Sequence, residues 1–178
     1  LAVIATPPAT VPGLISQLGQ RGTKGVVVIT AGFGSTEGSK PRQALLDAAQ
    51  PHLLRIVGPN CLGLLVPPLG LNASFAHLQP HRGGLAFIAQ SGAILTSVID
   101  WTRPRGIGFS QMVSLGDMAD VDFGDLLDYF STDSDTTAIL LYVEMVTHAR
   151  KFMSAARIAA RTKPVVVVKA GRHAGCPR

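Results

Sequence analysis

The stretch Leu85-Ala-Phe-Ile-Ala-Gln-Ser-Gly-Ala93 decides the fold. Leu85 to Ala89 is a short, unbroken apolar run, which suits a strand buried on both faces of a parallel sheet. Gln90-Ser91-Gly92 then turns the chain tightly, and helical spacing begins at Ala93 and continues to Thr102. A strand, turn and helix in this order place free backbone N–H groups, and the positive end of a helix dipole, at the carboxyl edge of a sheet. That arrangement is a ready anion site. Ser91 either adds a hydroxyl donor there or serves only as the helix N-cap, with Gly92 as a turn residue. A serine-hydrolase elbow has the same form, but Ala89 and Ala93 stand where the glycines of G-x-S-x-G belong.

The same unit recurs on both sides. Short runs rich in β-branched residues at Leu1 to Ala5, Gly25 to Thr30, Leu54 to Val57, Phe109 to Ser114, Ala138 to Val143 and Val165 to Lys169 read as further strands. Helical spacing fills Val11 to Leu18, Pro41 to Ala49, Phe123 to Phe130 and Ala149 to Arg161. Strand alternating with helix predicts an open α/β sheet with right-handed crossovers. One interval breaks the rhythm. Gly58 to Gly84 holds four prolines and several glycines without helical period, so it reads as an irregular connection with a domain boundary near residue 82. Residues 1–81 then form one unit and residues 82–178 a second. The opening directly on a strand, and the few strands of the first unit, read as a fragment of a larger protein.

Composition narrows the function classes. The 178 residues are 47% hydrophobic and only 15% charged, which excludes a disordered chain. The 19 glycines and 12 prolines are scattered, as many short connections require. A net charge of +5 raises nucleic-acid binding, but the basic residues are spread singly and aromatics are only 6%. A phosphate-rich small ligand suits such a surface equally well. Two cysteines give no disulfide framework, and there is no apolar stretch long enough to span a bilayer, so the expected location is cytoplasmic.

Other strand ends carry candidate groups. Gly58-Pro-Asn-Cys-Leu-Gly63 presents Asn60, both donor and acceptor, and Cys61, for which a buried structural thiol is the favoured reading. Glu144 ends the strand Ala138 to Val143, either as a partly buried carboxylate able to orient a histidine or as a surface glutamate capping the turn before Thr147. Thr6-Pro7-Pro8 and the loop Thr30-Ala31-Gly32 follow the first two strands, the latter spaced too widely for G-x-G-x-x-G. Asp117, Asp120, Asp122 and Asp125 match no metal loop and read as helix capping in a solvent-facing loop. Pro80 prevents His77 and His81 from sharing a helix face, and His52 and His148 have no suggestive partners.

Taken in order, Thr6-Pro-Pro, Ile29-Thr-Ala-Gly-Phe33, Gly58-Pro-Asn-Cys-Leu-Gly63, Ser91-Gly92 opening a helix, Glu144 at a strand end and Lys169-Ala-Gly171 resemble the NDP-forming acyl-CoA synthetases. This superfamily includes the succinyl-CoA synthetase α subunit and the ADP-forming acetyl-CoA synthetases, and the resemblance runs along essentially the whole chain. It implies part of a Rossmann-like CoA-binding domain followed by a flavodoxin-like domain. Thr6, Pro7, Ala31 and Gly32 would border CoA. Asn60 and Cys61 would lie near the thioester and phosphoryl-transfer centre. Ser91, Gly92 and Ala93 would hold phosphate or phosphohistidine, and Glu144 would support the histidine.

The resemblance also implies acyl-CoA formation from acid, CoA and ATP or GTP, through an acyl phosphate and a phosphohistidine. Nucleotide and Mg would be supplied by an ATP-grasp domain or subunit, in an oligomer. The stretches Val113 to Tyr129 and Tyr142 to Lys169 look nearest to bacterial proteins that join this core to an ATP-grasp domain and often a lysine acetyltransferase domain. The pattern departs from the family in three ways, one being the lack of an ATP-grasp domain, so that this fragment alone is expected not to complete a reaction. The first glycine-rich βα turn is missing, and the phosphorylated histidine is expected beyond Arg178, with His173 out of register. The rival reading is a catalytically silent CoA or acyl-CoA sensor attached to an acetyltransferase. A stand-alone flavodoxin-like nucleotide binder is a third.

Overall fold

A computed structural model describes residues 1–34 and 38–171; His173 and Cys176 lie outside the described residues. Strands β1 (Ala2–Ile4), β2 (Gly25–Val28) and β3 (Arg55–Val57) form a parallel sheet in that order, crossed by helices α1 (Val11–Gln20) and α2 (Lys40–Ala49). Val26, Val27 and Val28 are all buried, as a central strand of such a sheet requires. The helices pack Val11, Ile15 and Leu45 onto Ile4, Val28 and Ile56.

The second sheet has six strands. They are β4 (Gly63–Val66), β5 (Leu71–Ser74), β6 (His81–Ala89), β7 (Gly108–Ser114), β8 (Ala138–Val143) and β9 (Val165–Lys169), in the order β5-β4-β7-β6-β8-β9. β6 through β9 pair in parallel, while β4 pairs antiparallel with both β5 and β7. Alternation along β6 divides the core. Phe87 and Ala89 meet helix α3 (Gly92–Thr102) through Leu95 and Ile99. Ala86 and Ile88 face a cluster containing Leu127 and Phe130 of α4 (Phe123–Thr132) and Ala155 and Ala159 of α5 (Ala149–Thr162). The expected α/β architecture, with a parallel flavodoxin-like sheet in its second part, is the observed one.

Three expectations need correction, the third being that of His148 below. The interval Gly58 to Gly84 is not irregular throughout, because it contains the β4–β5 hairpin and the first part of β6. Pro67 and Pro68 open the connecting turn, where a missing N–H costs no ladder bond, and Gly70 closes it at φ +64°. The aspartate-rich loop also does not simply face solvent. The N–H groups of Asp117, Ala119 and Val121 donate to the carbonyls of Pro59, Gly58 and Ile56. Asp120 accepts from the Ile56 N–H and from Arg55, while buried Arg42 of α2 donates to the carbonyls of Asp117 and Met118. These bonds fasten the end of β7 to the carboxyl edge of the first sheet.

Helix capping is as expected for two of the four aspartates. Asp122 and Asp125 form a reciprocal capping box on α4. Lys151 bridges both carboxylates at 2.9 and 2.6 Å. His148 does have a partner, since its Nδ1 lies 3.2 Å from Asp122 Oδ2.

Candidate functional site

The carboxyl ends of β3, β6, β7 and β8 converge on a polar pocket of about 260 Å³. Asn60 comes from the loop after β3, and Ser91 and Gly92 come from the turn into α3. Glu144 follows β8. Four candidates from distant parts of the sequence therefore share one cavity. Ser91 caps α3 through its Oγ, which accepts the Ile94 N–H at 3.5 Å, and its carbonyl accepts the Leu95 N–H. The N–H groups of Gly92 and Ala93 have no partner inside the helix, so they form the anion-facing end of the dipole. The Ser91 hydroxyl proton is still available to donate.

Three wall residues are not among the site candidates read from the sequence. Gln90 Oε1 accepts the N–H groups of Glu144 and Met145 at 3.1 and 2.9 Å, which fixes where the Glu144 backbone enters the pocket. Asp117 Oδ1 accepts from the Asn60 amide at 3.2 Å. Gly116 packs against the Asn60 loop so closely that a Cβ there would lie 2.2 Å from the Pro59 carbonyl oxygen and 2.4 Å from that of Asn60. Gln90 and Asp117 both sit just past the carboxyl ends of parallel strands. The rule that picked out Glu144 applies equally to them.

Glu144 itself is exposed rather than partly buried. Its backbone carbonyl accepts from Lys169 Nζ at 2.8 Å, while its side chain is left to the pocket. The pocket thus combines helix N–H groups with the carboxylates of Asp117 and Glu144, and no lysine or arginine lines it among the described residues. Such a lining fits a phosphoryl group that arrives with its own cation or imidazole better than a free anion. No cluster of three or more metal-ligating side chains occurs among the described residues.

A second cleft, of about 360 Å³, adjoins the first and shares Asn60 and Gly92 with it. Cys61 and Ala93 line this one, together with Ile29, Leu62, Phe75 and Thr96. Asn60 is held at its tip by its N–H bond to the Thr30 carbonyl, in a left-handed conformation with φ +57°. Cys61 is buried, with Sγ 3.4 Å from the Val28 carbonyl. Burial pushes its thiol up to about 12, so it is protonated and inert near neutral pH.

Thr6, Pro7, Ala31 and Gly32 line neither cavity. They form a neighbouring exposed rim, in which the Thr30 hydroxyl donates to the Thr6 carbonyl at 2.7 Å and the Thr10 hydroxyl to Thr6 Oγ1 at 2.8 Å. Gly32, at φ +100°, lies against Pro8. The rim and the apolar cleft offer an extended path for a ligand with a narrow arm.

Comparison with known proteins gives the family. A family model described as succinyl-CoA ligase like flavodoxin domain matches residues 82–177, and one described as CoA binding domain matches residues 1–67. An ADP-forming acetate–CoA ligase I of Archaeoglobus fulgidus is 42% identical over 174 residues, covering 97% of this chain and 25% of the relative. The α subunit of ADP-forming acetate–CoA ligase I from Pyrococcus furiosus is also 42% identical, with 97% of this chain and 38% of the relative covered. The solved apo structure of dinucleotide forming acetyl-coenzyme A synthetase 1 from Ca. Korarchaeum cryptofilum superposes with a TM-score of 0.90 at 38% identity, over 96% of this chain and 38% of that one. The chain spans between a quarter and two-fifths of the length of these relatives. No helix among the described residues is long and apolar enough to cross a membrane. With a matching family model over more than half its length, the chain belongs to the succinyl-CoA ligase-like family of NDP-forming acyl-CoA synthetases.

Proposed function

We propose that in the intact protein this chain supplies the CoA- and phosphate-binding parts of an acid–thiol ligase that forms acyl-CoA, ADP and phosphate from a carboxylic acid, CoA and ATP. The observation that carries the reading is the meeting of Asn60, Ser91, Gly92 and Glu144 around one pocket at the carboxyl ends of the strands. The names of the relatives as ADP-forming acetate–CoA ligases support the ligase over the sensor.

In this reading the N–H groups at the start of α3 and the Ser91 hydroxyl hold the phosphoryl oxygens, while the Glu144 carboxylate accepts from the imidazole N–H of a histidine outside the described residues. Transfer to the acid breaks the P–N bond as a P–O bond forms. Attack by the CoA sulfur on the acyl carbon then expels phosphate, which leaves with the thiol proton. Asn60 orients the acyl carbonyl at the junction of the two cavities. Cys61 is part of the cleft wall there and not a nucleophile. CoA lies along Thr6, Pro7, Ala31 and Gly32.

The same proposal divides the chain into residues 1–81 and 82–178, with the 63–74 hairpin joining the second sheet. It assigns nucleotide and Mg to an ATP-grasp domain or subunit, and places the protein in the cytoplasm as an oligomer. An acetyltransferase domain would be an addition to the ligase and not a substitute for it. The test incubates the intact protein with labelled ATP, CoA and a panel of short acids. Acyl-CoA and ADP in equal amounts are expected. AMP and pyrophosphate, or no acyl-CoA, would refute the reading.

A further inference from the structure

We propose that Gln90 is a further catalytic residue of the polar pocket: one edge of its side-chain amide holds the start of the Glu144 loop, and the other donates a hydrogen bond to an oxygen of the phosphoryl group. The inference rests on the ligase reading above and deepens it. The amide can be oriented from its partners alone. Two backbone N–H groups, those of Glu144 and Met145, lie 3.1 and 2.9 Å from one terminal atom of Gln90, and only an oxygen can accept them. That atom is therefore Oε1, and the Nε2H2 group forms the opposite edge. The rest of the residue is engaged, since its N–H donates to the Tyr142 carbonyl and its carbonyl accepts the Gly116 N–H, both at 3.2 Å. Nε2 has no protein partner among the described residues, where every buried side-chain nitrogen and oxygen has one. It is thus an accessible donor on a residue that lines the pocket beside Ser91, Gly92 and Glu144.

Occupation of Oε1 by two donors matters for the other edge. Hydrogen bonds polarise one another along a chain, so an amide that accepts twice at oxygen is a stronger donor at nitrogen. The pocket needs such a donor. Its wall carries the acceptor-only carboxylates of Asp117 and Glu144, with no lysine or arginine among the described residues. Phosphoryl oxygens there depend on neutral donors, which are the N–H groups at the start of α3, the Ser91 hydroxyl and Gln90 Nε2. As the P–N bond breaks and the P–O bond to the acid forms, the electron pair stays on the imidazole nitrogen and the amide keeps its protons, so Gln90 stabilises charge without transferring anything. The same side chain fixes the Glu144 backbone, whose carbonyl is held by Lys169 Nζ at 2.8 Å. One residue therefore sets both the carboxylate behind the imidazole and a donor facing the phosphoryl group.

The two edges are separable. Gln90→Glu keeps an oxygen for both N–H groups and replaces the donor by a second acceptor, whereas Gln90→Met removes both. For the intact wild type and both variants, the experiment measures phosphoenzyme formation from ATP labelled at the γ-phosphate, calorimetric binding of inorganic phosphate with magnesium, the KM for CoA, and hydrogen–deuterium exchange of the peptide containing Glu144 and Met145. Gln90→Glu should lower the rate of phosphoenzyme formation about 100-fold and phosphate affinity about 10-fold, with that exchange and the KM for CoA each changed by less than about threefold. Gln90→Met should lower phosphoenzyme formation and also speed the exchange about 5-fold or more, because the acceptor is lost as well. Phosphoenzyme formation within about threefold of wild type in Gln90→Glu overturns the inference. So does a loss in Gln90→Glu that comes with faster exchange at residues 144–145, which would make Gln90 a support of the loop alone. A wild type that takes up no label refutes the ligase reading instead. Phosphate binding then decides the inference, which stands if Gln90→Glu weakens that binding and falls if it does not or if the wild type binds none.

Discussion

Replacing Gly116 by alanine probes the joint that holds the Asn60 loop. The added Cβ would lie 2.2 Å from the Pro59 carbonyl oxygen and 2.4 Å from that of Asn60, so those backbone atoms must retreat by about 0.8 Å to reach the shortest contact that real Cβ atoms make. Gly116 is also at φ +56°, a conformation that costs alanine about 1 kcal/mol more than glycine. Overpacking against backbone adds about 1–3 kcal/mol, giving about 2–4 kcal/mol in all. For a unit of this size, that lowers the melting transition by about 4–16 °C. The functional loss should be larger than stability alone implies, because a shift of about 0.6 Å at Asn60 is a large part of the misplacement of about 1 Å that costs about 100-fold in rate, so a loss of about 10-fold or more is expected. Differential scanning calorimetry and acyl-CoA formation by the intact Gly116→Ala protein, assayed well below its transition, measure the two effects separately. A variant with unchanged melting and unchanged kcat/KM would refute the claim that Gly116 positions the Asn60 loop.

Three further outcomes follow from the site and its supports. Glu144→Gln should lower phosphoenzyme formation by about 10-fold or more with CoA affinity changed less than threefold, as measured by labelled-phosphate trapping and calorimetry; equal losses would make Glu144 a structural residue. Cys61 should resist iodoacetamide at pH 8 in the folded protein, as read by mass spectrometry of its peptide, because burial holds the thiol protonated. Since its pKa is raised from an ordinary value near 9 to about 12, the stability it contributes is complete below pH 9 and lost as pH rises toward 12. For Asp122, burial favours the neutral acid, but the hydrogen bonds from Lys151 and from the Asp125 N–H outweigh it and hold the carboxyl below its ordinary 3.8. Its stability is therefore present above about pH 4 and lost as pH falls through the lowered value. Asp122→Asn should cost about 1–3 kcal/mol near neutral pH and flatten the acid limb of a denaturation profile.

How much of this was legible in the sequence depended on whether the determining interactions were local. The β-branched runs announced β1 to β3 and β6 to β9, and helical spacing announced all five long helices, because burial pattern and backbone period act within a few residues. The β4–β5 hairpin was missed. Its prolines and glycines read as breakers of a helix or central strand, yet in a hairpin they supply the turn, and β4 gains its place only by pairing with β7, far along the chain. The aspartate loop was misjudged for a similar reason. Asp120 and Asp122 find their partners at Arg55, Ile56, His148 and Lys151, none of which leaves a signature at the loop itself. The strand-end rule found Ser91, Asn60 and Glu144, and carried through consistently it would also have found Gln90 and Asp117. Gly116 was beyond reach, since only the approach of the Pro59 and Asn60 carbonyls shows why a side chain cannot stand there.

The central claim is that the pocket formed by Asn60, Ser91, Gly92 and Glu144 handles a phosphoryl group on its way to an acyl-CoA. Trapping is the most direct test: the intact protein is mixed with ATP labelled at the γ-phosphate, quenched, and then chased with acid and CoA. The account predicts a base-stable, acid-labile phosphoenzyme that discharges on the chase in step with acyl-CoA formation and that is diminished by Glu144→Gln. A folded, nucleotide-binding protein that takes up no label yet still makes acyl-CoA, or that takes up label as well with glutamine at 144 as with glutamate, would contradict it.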